Sequence, residues 1–478
     1  MKESPMKLDL IPATTLREDD TLRDALKVIE DNSWKIVVIT DRHGKMAGIV
    51  SAGDLRKSLL HGHSVASPLR GVMNRKPVSL TVKNRLDSPK NFHHLFDDLK
   101  RRYGNSAVLY ALIPVTTKDK KILGLISLGR LTTEEARLGP SYGRRVLVVG
   151  GAGYIGSVLT RELIQNGWRV RVLDKLLYTK NSLNGLPREK FTLIKGDAHN
   201  IDTLVKAVEE VDAVVYLAEL VGDPACSLAP QTTLKTNYLA VNSIAHLCSH
   251  LNINRFVYVS SCSTYGASKN IGDLLTEESP LEPVSLYARM KVLVEQSILL
   301  VRHLPNPLFA PTILRLGTVF GYSYRPRFDL VVNTFVKNAW QNGKIEVKGG
   351  DQWRPNVHVS DVARAILTVL EAPVEKVRGQ IFNVGSNANN HTINDLADFV
   401  KKVFPSVKIL KRKKAVDKRN YRVDFSKIEK TLGFKAKISV QEGMFELKRA
   451  LEQNGFATKD LDESRFNNMK RLKELNLA

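Results

Sequence analysis

The stretch VLVVGGAGYIGS, Val146 to Ser157, leaves this chain few architectures to choose from. An unbroken apolar run suits a strand buried on both faces, as strands of parallel sheets are. Gly150, Gly153 and Gly156 follow at three-residue spacing, and SVLTRELIQNG continues as an amphipathic helix. Strand, glycine turn and helix N-terminus together present free backbone N–H groups and a positive helix end to a pyrophosphate. The next apolar run, RVRVLD, ends in Asp174. A carboxylate there accepts hydrogen bonds from adenosine ribose hydroxyls and repels a 2′-phosphate. The cofactor expected is NAD, lined by Gly150, Gly153, Tyr154, Ile155, Gly156 and Asp174.

From Arg144 onward strands and helices alternate: FTLIKGDA, DTLVKAVEE, AVVYLAEL, LKTNYLAVNSIAHLCSHL and RFVYVSS. This order predicts an α/β fold, a Rossmann doubly wound parallel sheet with its ligand crevice at the carboxyl ends of the strands. We place the NAD-binding domain at residues 144–325 and a small C-terminal substrate lobe at 326–478, with some segments returning to the Rossmann core. The tail after Glu442 reads as helical, then basic and polar, with no site residue.

SLYARMK sets Tyr287 and Lys291 at i, i+4, one turn apart on the same helix face. A phenol beside an ammonium and an oxidised nicotinamide should have its pKa lowered and serve as a general base. Lys291 can also reach the nicotinamide ribose. Ser261, at the end of RFVYVSS, supplies a hydroxyl to bond the substrate oxygen or relay its proton. The catalytic set expected is Ser261, Tyr287 and Lys291, and no metal is expected.

GGAGYIG, the Asp174 strand end, GDA, YLAELVGDP, TNY, SSCSTYG, YARMK, LRLGTVFG and RPNVHVSDVARA carry a resemblance. Residues 144 to about 450 resemble an extended short-chain dehydrogenase/reductase of the NAD-dependent epimerase/dehydratase group, which acts on nucleotide sugars. The resemblance implies that Asp197 and Ala198 contact the adenine, that Leu217 and Ala218 line the cofactor, and that Asn237 reaches it. It places Asn333 and Arg354 against a nucleotide diphosphate, with Arg422 in a similar role; guanidinium groups suit that anion through bidentate bonds. Arg325 and Arg327 are weaker candidates that could be plain surface charge, and His358 and Asp361 read as scaffold. Glu219 departs from the family pattern, where a small residue or histidine is usual. A carboxylate turned inward there would repel the pyrophosphate, so the expectation is a rim glutamate pointing away.

Dehydratases of the group carry an Asp-Glu pair after the strand-end hydroxyl, and its decarboxylases a glutamate. Here Cys262 and Ser263 stand there, and neither can do that work. Epimerisation needs only hydride out, rotation of the keto-sugar and hydride back. The expected activity is a nucleotide-sugar epimerase, 4-epimerase-like, feeding surface-polysaccharide or lipopolysaccharide precursors. Alternatives are a nucleotide-4-keto-sugar reductase and an inactive NAD-bound sensor.

Residues 1–132 repeat one pattern: TLRDALKVIEDN, KIVVIT, DRHGK, MAGIVS and AGDLRKSLLHG, then more loosely FHHLFDDLKRRYG, AVLYALIPVTT, KDKK and ILGLISLGRL. The repeat suggests a two-fold α/β module. GIVSAGDLRKSL, GVMNRKPVSL and ALIPVTTKDKKILGLISLGRL resemble a pair of cystathionine-β-synthase-like (CBS) domains. That resemblance implies that Ser51 and Asp54 hold the ribose of an adenosyl nucleotide, for regulation; a purely dimerising pair is the alternative. In the second copy Ser127 matches, but Arg130 replaces the acid. A charged linker, 133–143, separates this module from the sheet.

Charge is the one unusual feature of the composition, at +23 over 478 residues. The basic residues are scattered except for KILKRKKAVDKRNYR, and no nucleic-acid module surrounds that run, so a solvated basic surface is expected rather than nucleic-acid binding. Three cysteines without metal-ligand spacing argue against a disulfide framework or zinc site. No apolar run is long enough to span a bilayer and the first residues lack a signal-peptide core, so a cytoplasmic homodimer is expected.

Overall fold

The computed structural model describes residues 10–31, 36–81, 112–127, 144–251, 253–267, 273–301, 309–412, 419–453 and 461–477. The chain divides into two units, Met1–Tyr142 and Gly143–Ala478.

In the first unit β1 (Thr15–Arg17) pairs parallel with β2 (Ile36–Thr40), which pairs antiparallel with β3 (Met46–Ser51). The arrangement recurs: β4 (Leu80–Thr81) is parallel to β5 (Leu112–Thr116), which is antiparallel to β6 (Ile122–Ser127). Both hairpins slip register at the same place, Ile39/Thr40 and Val115/Thr116. The copies are also laced reciprocally, since Ile11, ahead of β1, bridges Leu125 of β6, and Asn74, ahead of β4, bridges Ile49 of β3. Gly48 and Gly124 permit these crossings. A Cβ on Gly48 would lie 2.6 Å from Asn74 O, and one on Gly124 2.9 Å from Ile11 O. The helices Leu22–Asp31 and Ala52–Leu60 close the first copy over Leu22, Val37, Ile39, Val50 and Leu55. FHHLFDDLKRRYG, Arg130 and the 133–143 linker lie outside the described residues.

The second unit is built on β7 (Arg145–Val149), β8 (Arg169–Asp174), β9 (Phe191–Lys195), β10 (Ala213–Tyr216) and β11 (Arg255–Ser261). After the short β12 (Leu274–Leu275) come β13 (Ala310–Leu316), β14 (Thr318–Phe320), β15 (Lys344–Lys348), β16 (Trp353–His358) and β17 (Ile381–Val384). β18 (Asn390–Thr392), β19 (Lys408–Arg412) and β20 (Arg422–Val423) complete the series. Seven strands form the main sheet, in the order β17-β13-β11-β10-β7-β8-β9, and every pairing in it is parallel. This is the doubly wound sheet expected. The order reverses at β7, whose two neighbours are β10 and β8, so the crevice opens beside the glycine turn.

The all-apolar reading of β7 has a direct structural cause. Val146 and Val148 enter a core on one face, with Leu159 and Leu163 of the following helix, while Leu147 and Val149 enter a second core with Tyr216 and Tyr258 on the other. The remaining strands make small sheets, β14-β16-β18, β15-β19 and β12-β20. The helices Val331–Asn342, Ile393–Val403 and Val440–Gln453 supply the third large core, with Val332, Val336, Leu396, Val400, Met444 and Leu447. Among the described residues no helix is long and apolar enough to cross a membrane.

Candidate active site

Gly150 leaves β7 with φ +86° and backs onto the end of β10; a Cβ there would lie 2.7 Å from Ala218 N. A Cβ on Gly156 would lie 2.6 Å from Gly151 Cα, so helix and turn touch backbone to backbone. The helix Tyr154–Gln165 starts at Gly153, and no side chain caps it. Its first N–H groups are thus left for a ligand, as an anion site requires. Asp174 closes the turn from behind: its Oδ2 accepts from Ala152 N at 2.9 Å and its Oδ1 from Leu176 N at 2.7 Å. Burial pushes that carboxyl above its ordinary range. On Asp197 burial works the same way, but Lys175, 2.8 Å away, and the His199 N–H prevail and hold it low. Ala198 is buried beside it, and Leu217, bonded through its N–H to Val149 O at 2.8 Å, precedes Ala218 at the mouth of the turn. This cradle fits a dinucleotide.

Other expected ligands are committed to the scaffold. Asn237 sits in a π-helical turn, Leu234–Leu239, and clamps Leu220 from both sides: Oδ1 accepts from its N–H at 2.9 Å and Nδ2 donates to its carbonyl at 2.8 Å. It fixes the loop after β10. Tyr154 turns into the protein and donates its hydroxyl to Gly321 O at 2.7 Å, whereas Ile155 packs against the first core. Asn333 is 1% exposed and joins that cluster, donating to Tyr154 Oη at 3.1 Å and Arg327 O at 2.9 Å and accepting from Gly321 N at 3.0 Å. Its amide is a strut between turns.

Arg354 on β16 and Arg422 on β20 face different rings, the Arg354 guanidinium lying 6.0 Å from that of Tyr421. Arg354 donates to Trp353 O at 2.7 Å and to Arg419 O, and the Arg422 guanidinium lies 4.8 Å from the Trp353 ring. The Arg422 Nε is buried and carries no hydrogen bond. β20 packs by Val423 onto Cys262 and Tyr265, so Arg422 stands on the strand that backs the turn after β11.

Ser261, Tyr287 and Lys291, the set expected to be catalytic, stand close together. β11 delivers Ser261 into the short helical turn Cys262–Tyr265, where its Oγ accepts from Ser263 N at 3.1 Å and neighbours the Tyr287 phenol. The helix Leu286–Val301 carries Tyr287 and Lys291, both buried. Lys291 Nζ lies 5.6 Å from the Tyr287 ring and donates to Val259 O at 2.5 Å. The Ser263 hydroxyl is buried without a partner. Beneath the turn runs a network that sequence reasoning missed. Arg315 pairs with Glu295 at 2.7 Å and donates to Tyr265 Oη at 3.1 Å, Tyr265 donates to Asn383 Oδ1 at 2.8 Å, and Ser260 donates to Glu295. Glu295 follows Lys291 by one helical turn, and that spacing was the available signal.

Four expectations need correction. Glu219 is not a rim residue: its side chain is 3% exposed, ion-paired with Lys291, and it accepts from Tyr258 Oη at 2.7 Å. Turned that way it faces an ammonium rather than a pyrophosphate. Tyr287, expected to be acidified by Lys291, is held well above the ordinary phenol range by burial and then by the Glu219 charge. Arg325 and Arg327 are buried, not surface charge. Arg325 stacks 3.7 Å from the Tyr178 ring and donates to Asn468 at 2.7 Å, and Arg327 pairs with Asp329 at 2.9 Å. The tail also reaches the site. Leu472 shares a buried cluster with Leu220, Cys226 and Tyr287, and Arg471 Nε donates to Leu177 O at 2.6 Å. As expected, His358 and Asp361 cap and brace the helix Val359–Glu371.

In the first unit, Ser51 and Asp54 bond to each other. Ser51 N and Oγ donate to Asp54 Oδ2 at 2.9 and 2.7 Å, and Asp54 N donates to Ser51 Oγ at 3.2 Å. They form the capping box of the helix Ala52–Leu60. Among the described residues no group of three or more His, Cys, Asp or Glu is placed to hold a metal ion.

A family model described as the NAD dependent epimerase/dehydratase family matches residues 146–385, and a CBS domain model matches residues 7–61. UDP-glucose 4-epimerase of Lactobacillus helveticus is 29% identical over 282 residues, which cover 54% of this chain and 81% of that protein. UDP-N-acetylglucosamine 4-epimerase from Methanobrevibacter ruminantium M1, solved in complex with UDP-N-acetylmuramic acid, superposes with a TM-score of 0.59 at 25% identity, covering 66% of this chain and all of that one (100%). UDP-glucuronic acid 4-epimerase from Bacillus cereus, solved with UDP-glucuronic acid and NAD, gives 0.57 at 24%, covering 65% and 99%. With the glycine cradle, the strand-end acid and the tyrosine–lysine helix in place, the chain belongs to the NAD-dependent epimerase/dehydratase family, as an enzyme that carries a CBS domain at its N-terminus.

Proposed function

We propose that the protein is an NAD-dependent nucleotide-sugar epimerase, 4-epimerase-like, in which Tyr287 takes the proton from a sugar hydroxyl. The observation that carries this is that Ser261, Tyr287 and Lys291 stand together, Lys291 Nζ 5.6 Å from the Tyr287 ring, with Cys262 and Ser263 rather than an Asp-Glu pair after the strand-end hydroxyl. NAD⁺, when bound, supplies the hydride acceptor. Ser261, beside the phenol, holds the substrate oxygen against Tyr287. Lys291 holds the nicotinamide ribose. Cys262 and Ser263 offer no carboxyl after the strand-end hydroxyl to eliminate water or assist decarboxylation, which favours epimerisation over those reactions. Arg354 and Arg422 bind the diphosphate, where the unbonded Arg422 Nε still has a hydrogen bond to give. Named 4-epimerases with bound nucleotide sugars among the solved neighbours support this class over a reductase.

The repeated strand pattern supports a CBS pair over residues 1–132, with Ser51 and Asp54 as its adenosyl-nucleotide site. A panel of UDP-, GDP-, CDP- and dTDP-sugars tests the enzyme reading. Interconversion of one of them by the wild type and not by Tyr287→Phe is expected; no conversion of any, with both proteins alike, overturns it.

A further inference from the structure

We propose that Glu219 is a positioning residue that holds Lys291 in a charge-neutral pair and thereby sets the pH at which Tyr287 becomes a base. The proposal rests on Tyr287 being the base of the reaction proposed above. Glu219 leaves the end of β10 and turns under the catalytic helix. One carboxylate oxygen takes the Tyr258 hydroxyl at 2.7 Å and the other the Lys291 ammonium, with the two charged side chains 3% and 4% exposed. Lys291 spends another N–H on Val259 O. Its charge is therefore matched by a carboxylate at contact distance in a site that excludes water. A paired charge of this kind projects little field at a third group.

The surroundings of Tyr287 contain few other charges. Its own helix contributes Lys291, the loop after β10 contributes Glu219, and the helix Asp223–Leu228 contributes Asp223 and the Cys226 thiol. β11 contributes the Ser261 hydroxyl and, beyond Lys291, the Tyr258 phenol, which lies 4.6 Å from Nζ. The tail helix Asn468–Glu474 contributes the apolar Leu472. Asp223 is itself paired with Arg419 at 3.0 Å, so Glu219 is the carboxylate that answers the Lys291 charge beside the phenol. A ribose hydroxyl that bound Nζ would have to share it with Glu219.

Phenolate absorbance, titrated with pH in the NAD⁺-saturated protein, tests this without any sugar. The difference between wild type and Tyr287→Phe isolates Tyr287, and the same difference in a Glu219→Gln background isolates it without the carboxylate charge. The expected midpoint falls by about one pH unit or more in Glu219→Gln, the size of effect that one nearby charge exerts. Glu219→Asp, which keeps the charge, should stay near wild type. Glu219→Met provides a second neutral variant should Glu219→Gln fail to fold. An unchanged or raised midpoint in the neutral variants overturns the proposal. A wild type that converts no nucleotide sugar overturns the reaction class and leaves this titration readable.

Discussion

Two strand-to-helix junctions in this protein look alike in sequence and differ in what they leave open. At the end of β7 the helix begins on Gly153 and no side chain caps it. At the end of β3 the helix begins on Ser51, where the Asp54 carboxylate takes the Ser51 N–H and the Ser51 hydroxyl takes the Asp54 N–H of the first turn. The first junction is pre-organised for an anion, because its donors have no other partner. The second is complete by itself, so a ribose must replace hydrogen bonds of 2.7 to 2.9 Å that already exist. Pre-organised donors cost nothing to present, whereas engaged ones must first be released. We expect tight cofactor binding at the glycine turn and weaker, more easily reversed nucleotide binding at the N-terminal unit.

The largest effect that bears on this contrast is on turnover. Tyr287→Phe should lower it about 10²- to 10⁴-fold, the usual contribution of a positioned general base, with NAD⁺ affinity in calorimetric titration nearly unchanged. An equal loss of cofactor affinity would mean that the phenol holds the cofactor rather than the proton. Next comes the support beneath the turn. Arg315→Met leaves Glu295 buried without its partner and should cost about 3–5 kcal/mol in denaturant unfolding, whereas exchanging both residues for apolar ones should cost much less.

Gly150→Ala forces a side chain into a left-handed backbone against Ala218 and should cost about 1–3 kcal/mol while abolishing NAD⁺ binding. Gly48→Ala in the other unit should cost a similar amount, through its clash with Asn74 O, without touching NAD⁺ affinity. The smallest effect is at the closed junction. Asp54→Ala should destabilise the first unit by about 1 kcal/mol and remove the heat of titration with AMP, ATP or S-adenosylmethionine. Heat that survives Asp54→Ala would place any nucleotide elsewhere.

Legibility followed the range of the interactions. The glycine turn, Asp174 and the Tyr287–Lys291 pair were readable because a few adjacent residues encode each one. The scaffold bonds of Asn333 and Asn237 are not legible in the sequence, because their partners, Tyr154 and Gly321 for one and Leu220 for the other, lie far off in the chain. Glu219 was recognised as a departure but given the wrong direction. Its two partners come from β11 and the helix Leu286–Val301, and only the folded sheet brings them under β10. The tail was dismissed as polar. Its apolar residues Met469, Leu472 and Leu477 recur too sparsely to announce a docking face, yet they pack against the loop after β10 and Tyr287.

The central claim is that this site performs redox chemistry on a sugar hydroxyl through Tyr287. Following nicotinamide absorbance in the NAD⁺-loaded protein while nucleotide sugars are added tests it directly. The account predicts that one class of sugar produces reduced nicotinamide transiently in the wild type and none in Tyr287→Phe. Reduced nicotinamide that forms equally in both proteins, or in neither with any sugar, would contradict it.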